Sequence, residues 1–300
     1  MTERSHSALC ASYSRSTLEV TCMWRCPSGR STDRARGGTI GPRTARRARS
    51  PMERTTPRLQ AEPISRDEIP ESGSNEWRCF LAELVREAFS AQRCASTMGM
   101  RVLLNKPDNH VATMSSLSTA PRGSRLRNAN WHTRASKHTP SSSGLTYEMF
   151  VDGLLKNHSA NEQEYIEPCQ SAECLEELEP GIAGIWHMKY ATPFGTANRD
   201  FVELVVTLPL DAVRMPFSPP HEEQTLAQIE GRAATATPEA RPPVLRSFLV
   251  VSVPVKSKPT PGYVRAYYAS VESVTELPQE NGENTLYWVC VWRTATLTTA

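Results

Sequence analysis

The sequence is short of what most function classes require. Aromatic residues make up 7% of its 300 positions, glycines number 15, and the apolar fraction is 39%. No apolar run approaches the ~20 residues of a membrane-spanning helix. The longest, residues 248–255, is interrupted by Ser252 and Pro254. No charged start leads into an apolar stretch and a small-residue cleavage site, so a secretory signal is not expected. Eight scattered cysteines are too few for a disulfide framework; they fit a reducing compartment, and a cytoplasmic location is expected. Glycine-rich phosphate loops, a nucleophile elbow and the His-Glu-x-x-His pattern are all missing, as is any repeat of 20–50 residues. Nothing positive supports an enzyme.

What is present is unevenly distributed. Residues 1–50 hold ten arginines against three acids, a charge of +7, so the rest of a chain of net charge +2 carries −5. Residues 1–60 are rich in Arg, Ser, Thr and Pro without a sustained period, and such a segment buries too little apolar surface to offset its ordering entropy. A disordered basic segment is expected there. Its composition is also that of a mitochondrial transit peptide, but it lacks the amphipathic helix such a peptide uses. A nucleic-acid tail is not expected, because Tyr13 and Trp24 lie away from the arginine cluster 43–49. Residues 61–300 form the expected domain. Seven prolines between 209 and 245 mark a long insertion within it.

Two helices and five strands are readable in the domain. Trp77, Phe80, Leu81, Leu84, Val85 and Ala88 form one helical stripe behind a candidate cap, Ser74. Tyr147, Phe150, Val151, Leu154, Leu155 and His158 form a second behind Thr146, which predicts one continuous helix. Residues 96–130 lose periodicity, and 114–123 read as loop. Beyond residue 180 the period becomes two, predicting strands at 185–190, 201–208, 248–255, 263–274 and 286–294. Helices followed by a run of strands predict an α+β domain with an antiparallel sheet.

Chemistry is thin. His158, Glu162, Cys169 and Cys174 are ligand-type residues for zinc, but the cysteine spacing is wrong, and a packed histidine beside a carboxylate accounts for them more simply. Arg199-Asp200 at a strand start reads as a surface ion pair, or else as an arginine aimed at a buried head group. Trp186, Tyr190, Tyr267 and Trp288 read as core aromatics.

A family resemblance adds to this. Trp131-His132-Thr133-Arg134-Ala135-Ser136-Lys137-His138, the helix ending Gly153-Leu154-Leu155-Lys156-Asn157-His158-Ser159, and Glu164-Tyr165 occur in order. They are followed by Ala191-Thr192-Pro193, Arg199-Asp200-Phe201-Val202-Glu203-Leu204, 248–255, Gly262-Tyr263-Val264-Arg265 and Tyr268-Ala269-Ser270-Val271-Glu272. Over about residues 60–292 the chain resembles the mainly fungal, uncharacterised START-like family, a branch of the steroidogenic-acute-regulatory-related lipid-transfer superfamily. The resemblance implies a helix-grip fold, in which a curved antiparallel sheet wraps a C-terminal helix around an apolar cavity. It implies noncatalytic binding or transfer of a lipid or sterol, with no cofactor, and transient membrane contact. Trp186, Arg199, Glu203, Tyr267 and Trp288 are the candidate ligand-binding residues. Two alternatives stand beside this one: an interaction module with a filled cavity, and a cyclase-like enzyme, for which His187 is the nearest strand histidine. The family continues past its last strand into the closing helix, whereas residues 293–300 have poor helix propensity, so a complete C-terminal helix is not expected.

Overall fold

In the computed structural model, residues 59, 62–97, 101–106, 111–115, 126–127, 131–193, 195–210, 244–278 and 282–297 are described. All of the predicted basic segment except Leu59, and residues 211–243 of the predicted insertion, lie outside them.

The first stripe forms helix α1, Asn75–Thr97. Its cap is the expected one: the Ser74 hydroxyl accepts from the Trp77 amide at 3.0 Å. Trp77, Phe80, Leu84 and Ala88 are buried against Val202, Leu204, Val251 and Val271 of the sheet. The Trp77 and Phe80 rings stack at 5.6 Å. Each large apolar side chain buried in this way contributes about 1.5–3 kcal/mol.

Ten strands form one sheet among the described residues. They are β1 Arg101–Lys106, β2 Val111–Ser115, β3 Leu126–Arg127, β4 Trp131–His138, β5 Cys169–Glu179, β6 Ala183–Tyr190, β7 Arg199–Pro209, β8 Arg246–Pro254, β9 Val264–Leu277 and β10 Thr285–Leu297. The order is β1-β2-β4-β10-β9-β8-β7-β6-β5, with β3 beside β10. Neighbours are antiparallel, but beyond the end of β8 the first residues of β7 meet β9 directly and in parallel, Arg199 and Asp200 opposite Val264 and Arg265. A sheet whose β7 and β9 close around the shorter β8 is a curved one.

The second stripe does not form one helix. Helix α2, Pro140–Ser143, precedes it. The stripe then opens as a four-residue turn, α3, Tyr147–Phe150, with the Thr146 hydroxyl accepting from the Met149 amide at 3.3 Å. It widens into a π turn, Val151–Leu155, stops at an extended Lys156, and restarts after a left-handed Asn157 as α4, His158–Tyr165. One extra residue per turn still leaves Tyr147, Phe150, Leu154 and His158 buried, so the apolar stripe outlives the break in the helix. The freed carbonyls of Asp152, Gly153 and Lys156 accept from the Asn161 side chain at 2.8, 3.1 and 2.8 Å.

Strands β1, β2 and β3 lie within 96–130, where the sequence shows no period; of the loop expected at 114–123, Met114 and Ser115 end β2 and 116–123 lie outside the described residues. Strand β5 was not foreseen. Among the described residues it pairs only with β6, and it keeps most of its side chains in solvent, so it lacks a buried face to impose alternation. The last strand reaches Leu297. No described helix is long and apolar enough to cross a membrane.

Candidate functional site

Alternation gives the sheet two faces. Val202, Leu204 and Val206 of β7 face α1; Phe201, Glu203 and Val205 face the segment α3–α4. On that second face lie Trp186 and Tyr190 from β6, Tyr268 and Glu272 from β9, and Trp288 and Cys290 from β10. His158 and Glu162 on α4 look onto them. Trp288 meets Phe150 edge-on at 5.8 Å, carries the Arg134 guanidinium 5.0 Å from its ring centre, and donates its Nε1–H to Glu272 at 3.2 Å. Phe201 makes edge contacts with Tyr190 at 5.4 Å and Tyr268 at 6.4 Å.

The acids of this face interact with one another. Burial is the leading influence on each. It raises Glu203 to about 8 against a hydrogen bond from Ser252. It raises Glu272 to about 7 against the Trp288 hydrogen bond and Arg134. Glu162 is driven well above the usual range by burial and by repulsion from Glu272 and Glu203. Removing charge from low dielectric costs less than keeping it there unpaired. His158 follows the same logic in the opposite direction. Its Nδ1–H donates to the Leu154 carbonyl at 2.9 Å, and burial lowers it to about 4. The 3.8 Å approach of its Nε2 to Glu162 therefore brings together two groups that burial pushes toward their uncharged forms. Burial dominates Glu162, Tyr190, Tyr268 and Cys290, yet each keeps accessible surface. Groups lining a cleft combine these two properties.

Three of the sequence-predicted residues, Trp186, Glu203 and Trp288, come together on this face. Tyr267 does not: it lies with Ala269 and Val271 on the α1 side, and Tyr268 takes the inward position. Arg199 stands at the start of β7, where its Nη1 donates to the Ala197 carbonyl at 2.5 Å. Glu162, Tyr190, Tyr268 and Glu272 were missed as site residues. The readable signal was polar residues at alternating positions, Tyr268, Ser270 and Glu272, inside an apolar strand. No described group of three or more His, Cys, Asp or Glu side chains is arranged to hold a metal ion.

His187, the histidine of the cyclase-like alternative, belongs to a different cluster at the β7–β9 contact. Asp200 is fully buried and accepts from Arg265 Nε at 3.0 Å and Nη2 at 2.6 Å, and from Thr260 at 2.5 Å. His187 Nε2 lies 3.1 Å from the same carboxylate, which can only accept, so this nitrogen carries a proton. Burial would raise Asp200, but these donors outweigh it and hold the acid at about 2. The cluster joins β6, β7, β9 and the turn before β9.

Residues 131–300 match the family described as "Protein of unknown function (DUF3074)", and the chain belongs to it. An uncharacterized protein of Schizosaccharomyces pombe is 26% identical over 150 residues, half of this chain and 56% of the yeast protein, so the match spans little more than half of that relative. The chain is similar to human StAR-related lipid transfer protein 5, at 14% identity over 74% of this chain and 83% of that one, with a TM-score of 0.46. It is also similar to human STARD10, at 11% identity over 81% and 73%, with a TM-score of 0.42.

Proposed function

We propose that this member of the DUF3074 family binds a hydrophobic small molecule, a lipid or sterol, between the α3–α4 segment and the sheet. The observation that carries this is the electrically neutral lining of the cleft. Glu203, at about 8, holds its proton at pH 7, Glu272 titrates near it, and burial pushes Glu162 the same way, while Trp186, Tyr190, Tyr268 and Trp288 supply aromatic walls. Sites for hydrophobic ligands are built this way, mostly apolar with a few fixed hydrogen-bonding groups. The test is native mass spectrometry of the full chain, followed by organic extraction. A stoichiometric hydrophobic adduct is expected. A folded protein that stays empty when offered fatty alcohols, sterols and phospholipids would overturn the reading and favour an interaction module.

One observation favours a second reading. Buried acids that titrate near neutrality can both give and take a proton, as general acid–base catalysts do. An enzyme on this face would use Glu203 and Glu272, not His187. Recovery of the extracted ligand in chemically altered form, abolished in Glu272→Gln, would identify it.

A further inference from the structure

We infer that the recess between the start of α4 and strands β5–β7 is a subsite for one compact, uncharged oxygen of that ligand, a hydroxyl or a carbonyl. This rests on the reading of the α3–α4 face as a hydrophobic-ligand site. The recess has a volume of about 90 Å³, and its lining includes Leu155, His158, Ser159, Gly184, Trp186 and Thr207. His158 and Trp186 also belong to the cleft, so the two spaces share a wall.

Ser159 is the residue that points to a ligand. It is 1% exposed, and among the described residues its buried hydroxyl has no hydrogen-bond partner. A buried hydroxyl in that state is costly unless something completes its hydrogen bonding. It stands in the first turn of α4, which receives no side-chain cap from Asn157. The wall opposite is held by a glycine. A side-chain carbon at Gly184 would lie 3.1 Å from Trp186 Nε1 and 3.2 Å from the Glu176 carbonyl, so its absence lets the indole lie close along β6.

Charge defines the class of group. The described lining contains Glu177 and neither lysine nor arginine, while Glu179 turns its carboxylate to Trp77 Nε1 at 2.6 Å; without a cation the recess disfavours a carboxylate or phosphate. One water needs roughly 10–15 Å³ of such space, so the recess has room for several atoms, and charge rather than size separates the classes of group.

The test compares four probes of similar chain length on the full chain by competition with a fluorescent fatty-alcohol reporter: hexadecanol, 2-heptadecanone, hexadecanoate and hexadecylphosphocholine. Hexadecanol or the ketone is expected to bind about tenfold or more tightly than either charged probe, and whichever of the two binds better identifies the oxygen. Ser159→Ala should weaken the preferred probe about tenfold, and Ser159→Thr, which keeps the hydroxyl, should restore most of it. Equal binding of all four probes would overturn the subsite while leaving the hydrophobic site standing. Binding of none would overturn both. The probe ranking is read on the unaltered chain, so it decides the matter even if Ser159→Ala fails to fold.

Discussion

Asp200 and Arg265 show what one buried pair does at the place where the sheet closes. Both are almost fully buried and joined by two hydrogen bonds. Removing one partner leaves the other charge in low dielectric, a larger loss than the net value of the pair. Arg265→Met should therefore destabilise the fold by about 3–5 kcal/mol in urea unfolding; a loss below about 1 kcal/mol would mean the carboxylate is served by Thr260 and His187 alone. The sequence offered Arg199-Asp200 as a unit and could not show that the acid turns inward while the arginine stays at the strand end. Adjacent residues on a strand face opposite sides, and only the register with β9 decides which one finds Arg265. Tyr267 and Tyr268 pose the same problem one strand away. Both are aromatic and strand-compatible, and a single step of register separates the α1 face from the cleft.

At the scale of elements, legibility followed burial. The strands from β6 to β10 were readable because their sequences carry β-branched runs with buried faces, and α1 because its stripe is unbroken. Strand β5 was hidden by its exposure. The break between α3 and α4 was hidden because a π turn keeps the stripe in phase, so the pattern of apolar residues alone predicts a longer helix. The break has its own supports, and they can be tested separately. Asn157 holds the left-handed conformation, φ 52°, which asparagine tolerates better than most residues. Asn157→Gly should be neutral or slightly stabilising, whereas Asn157→Val should cost about 1–2 kcal/mol. Asn161→Ala, which strips three carbonyls of their donor, should cost about 1–3 kcal/mol. Chemical denaturation of the three variants checks both statements. If Val is tolerated at 157 as well as Gly, the turn is not conformationally constrained there.

Across the whole molecule, the two faces of the sheet make opposite demands on pH. Asp200 titrates at about 2 in the fold, below its unfolded value. Its contribution is present above the unfolded value and is lost as pH falls through about 2. His158, lowered to about 4 from 6.5, likewise loses its contribution as pH falls from about 6.5 to 4. The cleft acids behave in the reverse sense. Glu203 at about 8 and Glu272 at about 7 lie above the ordinary carboxyl value of 4.5, and Glu162 shifts the same way. Their stabilising contribution is complete below the unfolded value and is lost as pH rises through the folded one. Between pH 4.5 and 6.5 the histidine opposes the acids, and from 6.5 to 8 the acids act without it. Unfolding free energy should therefore fall on the order of 3 kcal/mol between pH 6.5 and 8. The Glu203→Gln, Glu272→Gln double variant should flatten most of that fall while leaving the acid limb set by Asp200 in place. Urea unfolding at half-unit pH steps measures both. A profile level or rising from pH 6.5 to 8 in the unaltered chain would mean that the cleft acids are already ionised, and the neutral lining on which hydrophobic binding rests would go with it.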